Sequence, residues 1–130
     1  MALNKAATFI IDIGCSSVAG MLSEMGPFRP NPDGQTLYEN VFSWNKQASM
    51  IFLEVPRGVG FSYQDLGDDQ DASVPDDQNA DDAVSAIINW LNTFSSFASR
   101  DIYIGGENYG GVLIPLIAKS IGAKIDVSKN

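Results

Sequence analysis

Residues 102–115 read "IYIGGENYGGVLIP": a run rich in β-branched residues turns on glycines and opens an apolar helix. Gly106, Asn108 and Gly110 stand at the spacing G-x-S-x-G, the sharp strand-to-helix turn that presents a nucleophile. Asn108 occupies the tip in place of serine. A carboxamide cannot be deprotonated by a general base and forms no acyl-enzyme, so covalent acyl transfer fails at its first step. The sequence also has no histidine, so its own residues cannot assemble a Ser-His-Asp or Cys-His relay. Asn does tolerate the left-handed dihedrals of a tight turn, which accounts for its place at a tip whose flanking glycines the fold requires.

The elements that must position this turn follow from periodicity. "ATFIIDI" (7–13) and "SMIFLEV" (49–55) are near-continuous apolar runs, predicted as strands buried on both faces, and "DIYIGG" (101–106) is a third. Val18, Met21, Leu22 and Met25 fall on one helical face that Ser16 or Ser17 can cap and "GPF" ends. "DGQTLYENVFSWN" carries a turn signal followed by an exposed strand or extended arm. Asn79 to Phe94 is predicted as an amphipathic helix with Val84, Ile87, Ile88, Leu91 and Phe94 on its apolar face and Asp81 and Asp82 in its first turn. "GGVLIPLIAKSIG" is predicted as a further helix, with Pro115 near its start and Gly122 near its end. Alternating strands and helices imply an α/β domain with a mostly parallel sheet flanked by helices.

Composition narrows the function classes. The chain has 130 residues, 45% of them hydrophobic, which suits one domain, taken as 1–130. Its formal charge is −8, and eight aspartates lie between Asp65 and Asp82. Nucleic acid is therefore a poor partner. That acidic stretch, about 64–79, is expected to be a solvated loop, since like charges repel and extend. It lacks the ligand pattern of an EF-hand. No apolar run is long enough to span a membrane, no signal peptide is evident, and with Cys15 alone there is no internal disulfide. No cofactor motif is present. A hard-metal site would require Asp12, Glu24 and Glu107 to converge, and none is assigned.

Several stretches carry a family resemblance. "GCSSVAGMLSEMGPF", "SWNK", "FLEVPRGVGFSY" and "DIYIGGENYGGVLIP" resemble the amino-terminal third of serine carboxypeptidases, whose corresponding stretches read W-L-N-G-G-P-G-C-S-S, S-W-N-K, P-A-G-V-G-F-S-Y and G-E-S-Y-A-G. The order and spacing agree across residues 8–118. The resemblance implies part of an α/β-hydrolase fold and an ancestral activity that removes C-terminal residues from peptides. It places the family's nucleophile on Asn108 and a backbone oxyanion-hole donor on Tyr109. It also matches Glu24 and Glu107 to an acid pair that holds a peptide's terminal carboxylate by sharing a proton at acid pH. The family's Asn-Gly-Gly-Pro aligns with Ile10, Ile11, Asp12 and Ile13, where the Asp12 carboxylate would repel both an oxyanion and a carboxylate ligand. Arg57 replaces the family's usual Ala and reads as a surface cation or a partner for Glu54 or an aspartate. Cys15 reads as the orphan of a family disulfide, a small buried residue or a thiol near a helix start. The triad Asp and His of the family lie in the carboxyl-terminal part of a much longer protein. The family is typically secretory, lysosomal or vacuolar.

Three roles follow as expectations: a carboxypeptidase-like protein without hydrolytic activity, a binding or regulatory protein that holds a peptide C-terminus or docks on a partner, and a fragment with no function of its own. A sheet of three or four strands leaves uncovered edges, which predicts self-association or a partner protein.

Overall fold

Three parallel strands form the larger of two sheets among the described residues. The computed structural model describes residues 7–13, 17–63 and 74–127, with the backbone alone at 7–13 and 125–127. Strand β1 (Ala7–Ile13) lies in the centre, between β4 (Ser49–Phe52) and β5 (Ile102–Asn108). Ala7 pairs with Ser49 on one side and with Ile102 on the other, and the ladder with β5 continues to Ile13 opposite Asn108. Because all three strands run the same way, the carboxyl ends of β1, β4 and β5 lie toward one edge of the sheet, where parallel folds place their sites.

Helix α1 (Ser17–Ser23) follows β1 and packs against β1 and β4. Ser17 is fully buried and its hydroxyl donates to the Leu53 carbonyl at 2.5 Å. It ties the helix to the segment after β4 from inside the helix. Beyond α1, β2 (Phe28–Pro30) and β3 (Leu37–Glu39) form a short antiparallel hairpin. The sequence signal here indicated only an exposed strand. The hairpin turn rests on Asp33, whose carboxylate accepts from the Gln35 and Thr36 amides and from the Thr36 hydroxyl, while Gly34 takes the left-handed φ of 65°. Buried Asn40 donates to the carbonyls of Glu24 and Gly26 and accepts from the Phe42 amide, fixing the hairpin to the end of α1.

Helix α2 runs from Asp76 to Thr93, three residues earlier than the apolar period indicates. Pro75 enters in an extended conformation and Asp76 and Asp77 occupy the first turn, where the helix dipole favours anions. The residues from Asp76 onward therefore belong to a helix and not to the acidic loop. Helix α3 (Gly110–Val127) passes through Gly122 without ending. Pro115 lies inside it, one turn from the start, where a missing N–H removes a single helical bond.

The core sits where α2 and α3 pack together above β5. Ala80, Ala83 and Val84 from α2 meet Leu113 and Ile117 from α3, with Val55 closing the side toward β4. The alanines allow a close helix approach, and their spacing with Ile87 is the helical period. Ile88 and Phe94, which the apolar pattern assigned to the buried face, are about half exposed. The strands are also less buried than their composition suggests. β4 is half-buried along its length and β5 is largely exposed at both ends, because each is an edge strand among the described residues. Cys15, Ser16 and the aspartates from Asp65 to Asp71 fall outside the described residues.

Candidate functional site

The turn between β5 and α3 has the geometry its sequence demands. Asn108 closes the strand with φ of 54°, the left-handed region that most side chains avoid. Tyr109 follows, buried Gly110 begins α3, and the Tyr109 carbonyl accepts from the amides of Val112 and Leu113 to wind the first turn. A nucleophile-type elbow is therefore present, with an exposed carboxamide at its tip. Among the described residues the Asn108 side chain has no hydrogen-bonding partner.

The Tyr109 side chain reaches across to another element. Its hydroxyl donates to Asp76 Oδ1 at 2.6 Å, linking the elbow to the first turn of α2. That bond, with partial desolvation and the nearby negative charge, pushes the phenol above its ordinary 10.0. No local pattern announces a contact between residues this far apart in sequence.

The loop after β4 borders the same edge of the sheet. Glu54 organises it: the carboxylate accepts from the Phe61 amide, and the Glu54 carbonyl accepts from the Ser62 hydroxyl at 2.6 Å. Gly60, at φ of 58°, lies so close to this carboxylate that a Cβ would collide with it. The result is a tight loop that leaves Phe61 and Tyr63 exposed. Arg57 is not a free surface cation. Its Nε meets Asp82 Oδ2 at 2.5 Å, and this bond holds the Asp82 carboxyl below its ordinary 3.8 against the opposing effect of partial burial.

The acidic start of α2 is likewise engaged. Asp77 faces Lys119 at 3.8 Å, and Asp81 accepts from the Ser120 hydroxyl and faces Lys124 at 4.0 Å. These charges join α2 to α3 instead of standing alone in solvent. The sequence signal was the complementary sign of the two helices, but not their register.

The glutamates matched to a carboxylate-binding pair are placed separately. Glu24 follows α1, where its amide donates to Gly20 and its carbonyl accepts from Arg29 and Asn40. Glu107 is the penultimate residue of β5, opposite Asp12 in the ladder. Both are exposed, and no hydrogen bond between them is described. The Asp12 side chain lies outside the described residues. No group of three or more acidic, Cys or His side chains able to hold a metal occurs among the described residues, and no helix among them is long and apolar enough to cross a membrane.

Known proteins share this arrangement. A family model described as serine carboxypeptidase matches residues 14–130. Serine carboxypeptidase-like 26 from Arabidopsis thaliana is 46% identical over 112 residues, 85% of this chain and 25% of that protein. Serine carboxypeptidase 24 from the same plant is 47% identical over 109 residues, 83% of this chain and 23% of that protein. The solved structure of Kex1Δp, a prohormone-processing carboxypeptidase from Saccharomyces cerevisiae, superposes with a TM-score of 0.85 at 30% identity, covering 98% of this chain and 28% of that one. The chain thus spans about a quarter of the length of these relatives and forms part of an α/β-hydrolase fold. With a strand, elbow and helix in the family's order and a match over nearly the whole sequence, the chain belongs to the serine carboxypeptidase family.

Proposed function

We propose that this chain keeps the elbow of a serine carboxypeptidase without its covalent chemistry. The observation that carries the reading is Asn108 at the tip of the turn, in the left-handed conformation of a nucleophile position and with no oxygen nucleophile to offer. The absence of histidine from the sequence supports the same reading. So does the ladder that carries β1 through Ile13, since the resemblance sets Ile10, Ile11, Asp12 and Ile13 against the family's Asn-Gly-Gly-Pro. A base delivered by another chain does not rescue the step, because the atom to be activated is missing. On this reading the carboxypeptidase-like protein acts by binding or regulation, toward a peptide C-terminus or a partner protein, or has no activity of its own.

The test is hydrolysis of N-blocked dipeptides at acid and neutral pH, followed by release of the C-terminal amino acid, with Asn108→Ala as the control. The expected result is background release from both proteins. Turnover by the unaltered chain that disappears in Asn108→Ala would overturn the reading.

A further inference from the structure

The turn of the β2–β3 hairpin carries a chemistry unconnected with the elbow. Asp33 and Gly34 form the one Asp-Gly pair in the sequence, which has no Asn-Gly pair. An aspartate side chain holds its Cγ within reach of the next backbone nitrogen, so the two can close a succinimide ring. Glycine in the following position hinders that closure least, since no Cβ stands beside the nitrogen. Both residues are exposed, and water reaches the pair.

The folded turn engages the atoms that this closure needs. Asp33 Oδ1 accepts from the amides of Gln35 at 2.9 Å and Thr36 at 3.0 Å, and Oδ2 accepts from the Thr36 hydroxyl at 2.6 Å. Thr36 Oγ1 in turn accepts from Asn31 Nδ2 at 2.8 Å. The Gly34 amide, which must lose its hydrogen to attack, donates that hydrogen to the Asn31 carbonyl at 3.0 Å. The Thr36 hydroxyl first, then the Gln35 and Thr36 amides, hold the Asp33 carboxyl below its ordinary 3.8. An ionised carboxylate is a poorer electrophile than the acid, because it has no hydroxyl to release. All of these bonds lie between residues 31 and 36, so the network is complete within the turn.

We propose that Asp33 and Gly34 are a latent site of backbone isomerisation, which the folded hairpin keeps shut through Thr36 and Asn31 and which unfolding opens. In the step, the Gly34 nitrogen bonds to Asp33 Cγ, and the carboxyl hydroxyl leaves with the amide hydrogen as water. Water then adds back to the ring. If the bond from the Asp33 backbone carbonyl carbon to the Gly34 nitrogen breaks, the chain runs on through Cγ and the α-carboxylate is left free; if the new bond at Cγ breaks, aspartate returns. A water lost is matched by a water gained, and the mass of the chain is unchanged. The isomerised product carries an extra carbon in the backbone of a turn that sets Pro30 opposite Leu37, so isomerisation in the unfolded chain leaves a hairpin that no longer fits.

The test is incubation of the full chain in heavy-oxygen water at mildly acid pH, with and without concentrated urea, followed by peptide mapping for isoaspartate and for heavy oxygen at residues 33–34. Label should accumulate in urea, and about tenfold or more slowly without it, as local opening limits the step. Thr36→Val keeps a β-branched side chain without the hydroxyl; it should raise the rate without urea severalfold and leave the rate in urea unchanged. Asp33→Ser should take up no label. No label in urea, equal rates with and without urea, or a Thr36→Val rate without urea equal to that of the unaltered chain would overturn the proposal. So would a Thr36→Val effect of the same size in urea, which would place its cause in local chemistry and not in the folded turn.

Discussion

The Tyr109 hydroxyl donates to Asp76 Oδ1 at 2.6 Å and so fastens the elbow to the start of α2. The bond favours the protonated phenol, so the folded chain holds Tyr109 above 10.0. A group whose folded value is raised contributes stability that is fully present below the unfolded value and is lost as pH rises through the folded one. Ultraviolet titration should find a late-ionising phenol, and Tyr109→Phe should remove that late step and flatten stability above pH 10. A late phenol that persists in Tyr109→Phe would assign the shift to another residue.

Asp82 behaves in the opposite sense. Its carboxyl is held below 3.8, first by the hydrogen bond from Arg57, so its contribution is present above 3.8 and is lost as pH falls through the lower folded value. Urea midpoints measured down an acid series should fall less steeply for Asp82→Asn than for the unaltered chain, and Asp82→Asn should already be less stable at neutral pH. Equal slopes would mean that the pair does not persist in solution.

Asn108 takes a left-handed backbone conformation, and its side chain has no hydrogen-bonding partner among the described residues. Substitution by a residue that disfavours φ of 54° should therefore be costly whatever its chemistry. Asn108→Ala and Asn108→Ser are each expected to lose on the order of 1 kcal/mol, and Asn108→Gly little or none. The readout is chemical denaturation. Asn108→Ser is also expected to remain without peptidase activity, since it gains a hydroxyl and no base.

Leu113 is fully enclosed between α2 and α3. Leu113→Ala should cost about 2–5 kcal/mol, the range for emptying a well-packed leucine site. In a chain of this size such a loss should shift the urea midpoint strongly, or abolish a cooperative transition. A change below about 1 kcal/mol would indicate that the two helices are loosely packed.

Much of this architecture was legible in the sequence. The apolar runs gave β1, β4 and β5, the period of α2 gave its buried stripe from Val84 to Ile87, and the glycine spacing gave the elbow at Asn108. Boundaries were harder. Asp76 to Gln78 join α2 because Pro75 and the first-turn acids favour a start there, an effect that an apolar period does not register. Gly122 stays helical because Ile117 and Ile121, in the turn and a half before it, pack into and against the core. The strands are less buried than their composition suggests for a different reason: composition reports what a strand can bury, while exposure depends on which neighbours lie beside it. The pairings of Tyr109 with Asp76 and of Arg57 with Asp82 join distant segments, and only their chemical types were visible beforehand.

The central position of β1 bears on how the chain acquires its structure. Its first neighbour, β4, comes from the middle of the sequence and its second, β5, from the far part, so most of the sheet consists of contacts distant along the chain. Loop-closure entropy must be overcome before such pairings stabilise anything, which makes folding slow compared with helical proteins of similar size. During synthesis β1 emerges well before β5 exists, with an apolar strand waiting for its second partner. That interval is when holding by a chaperone would matter most.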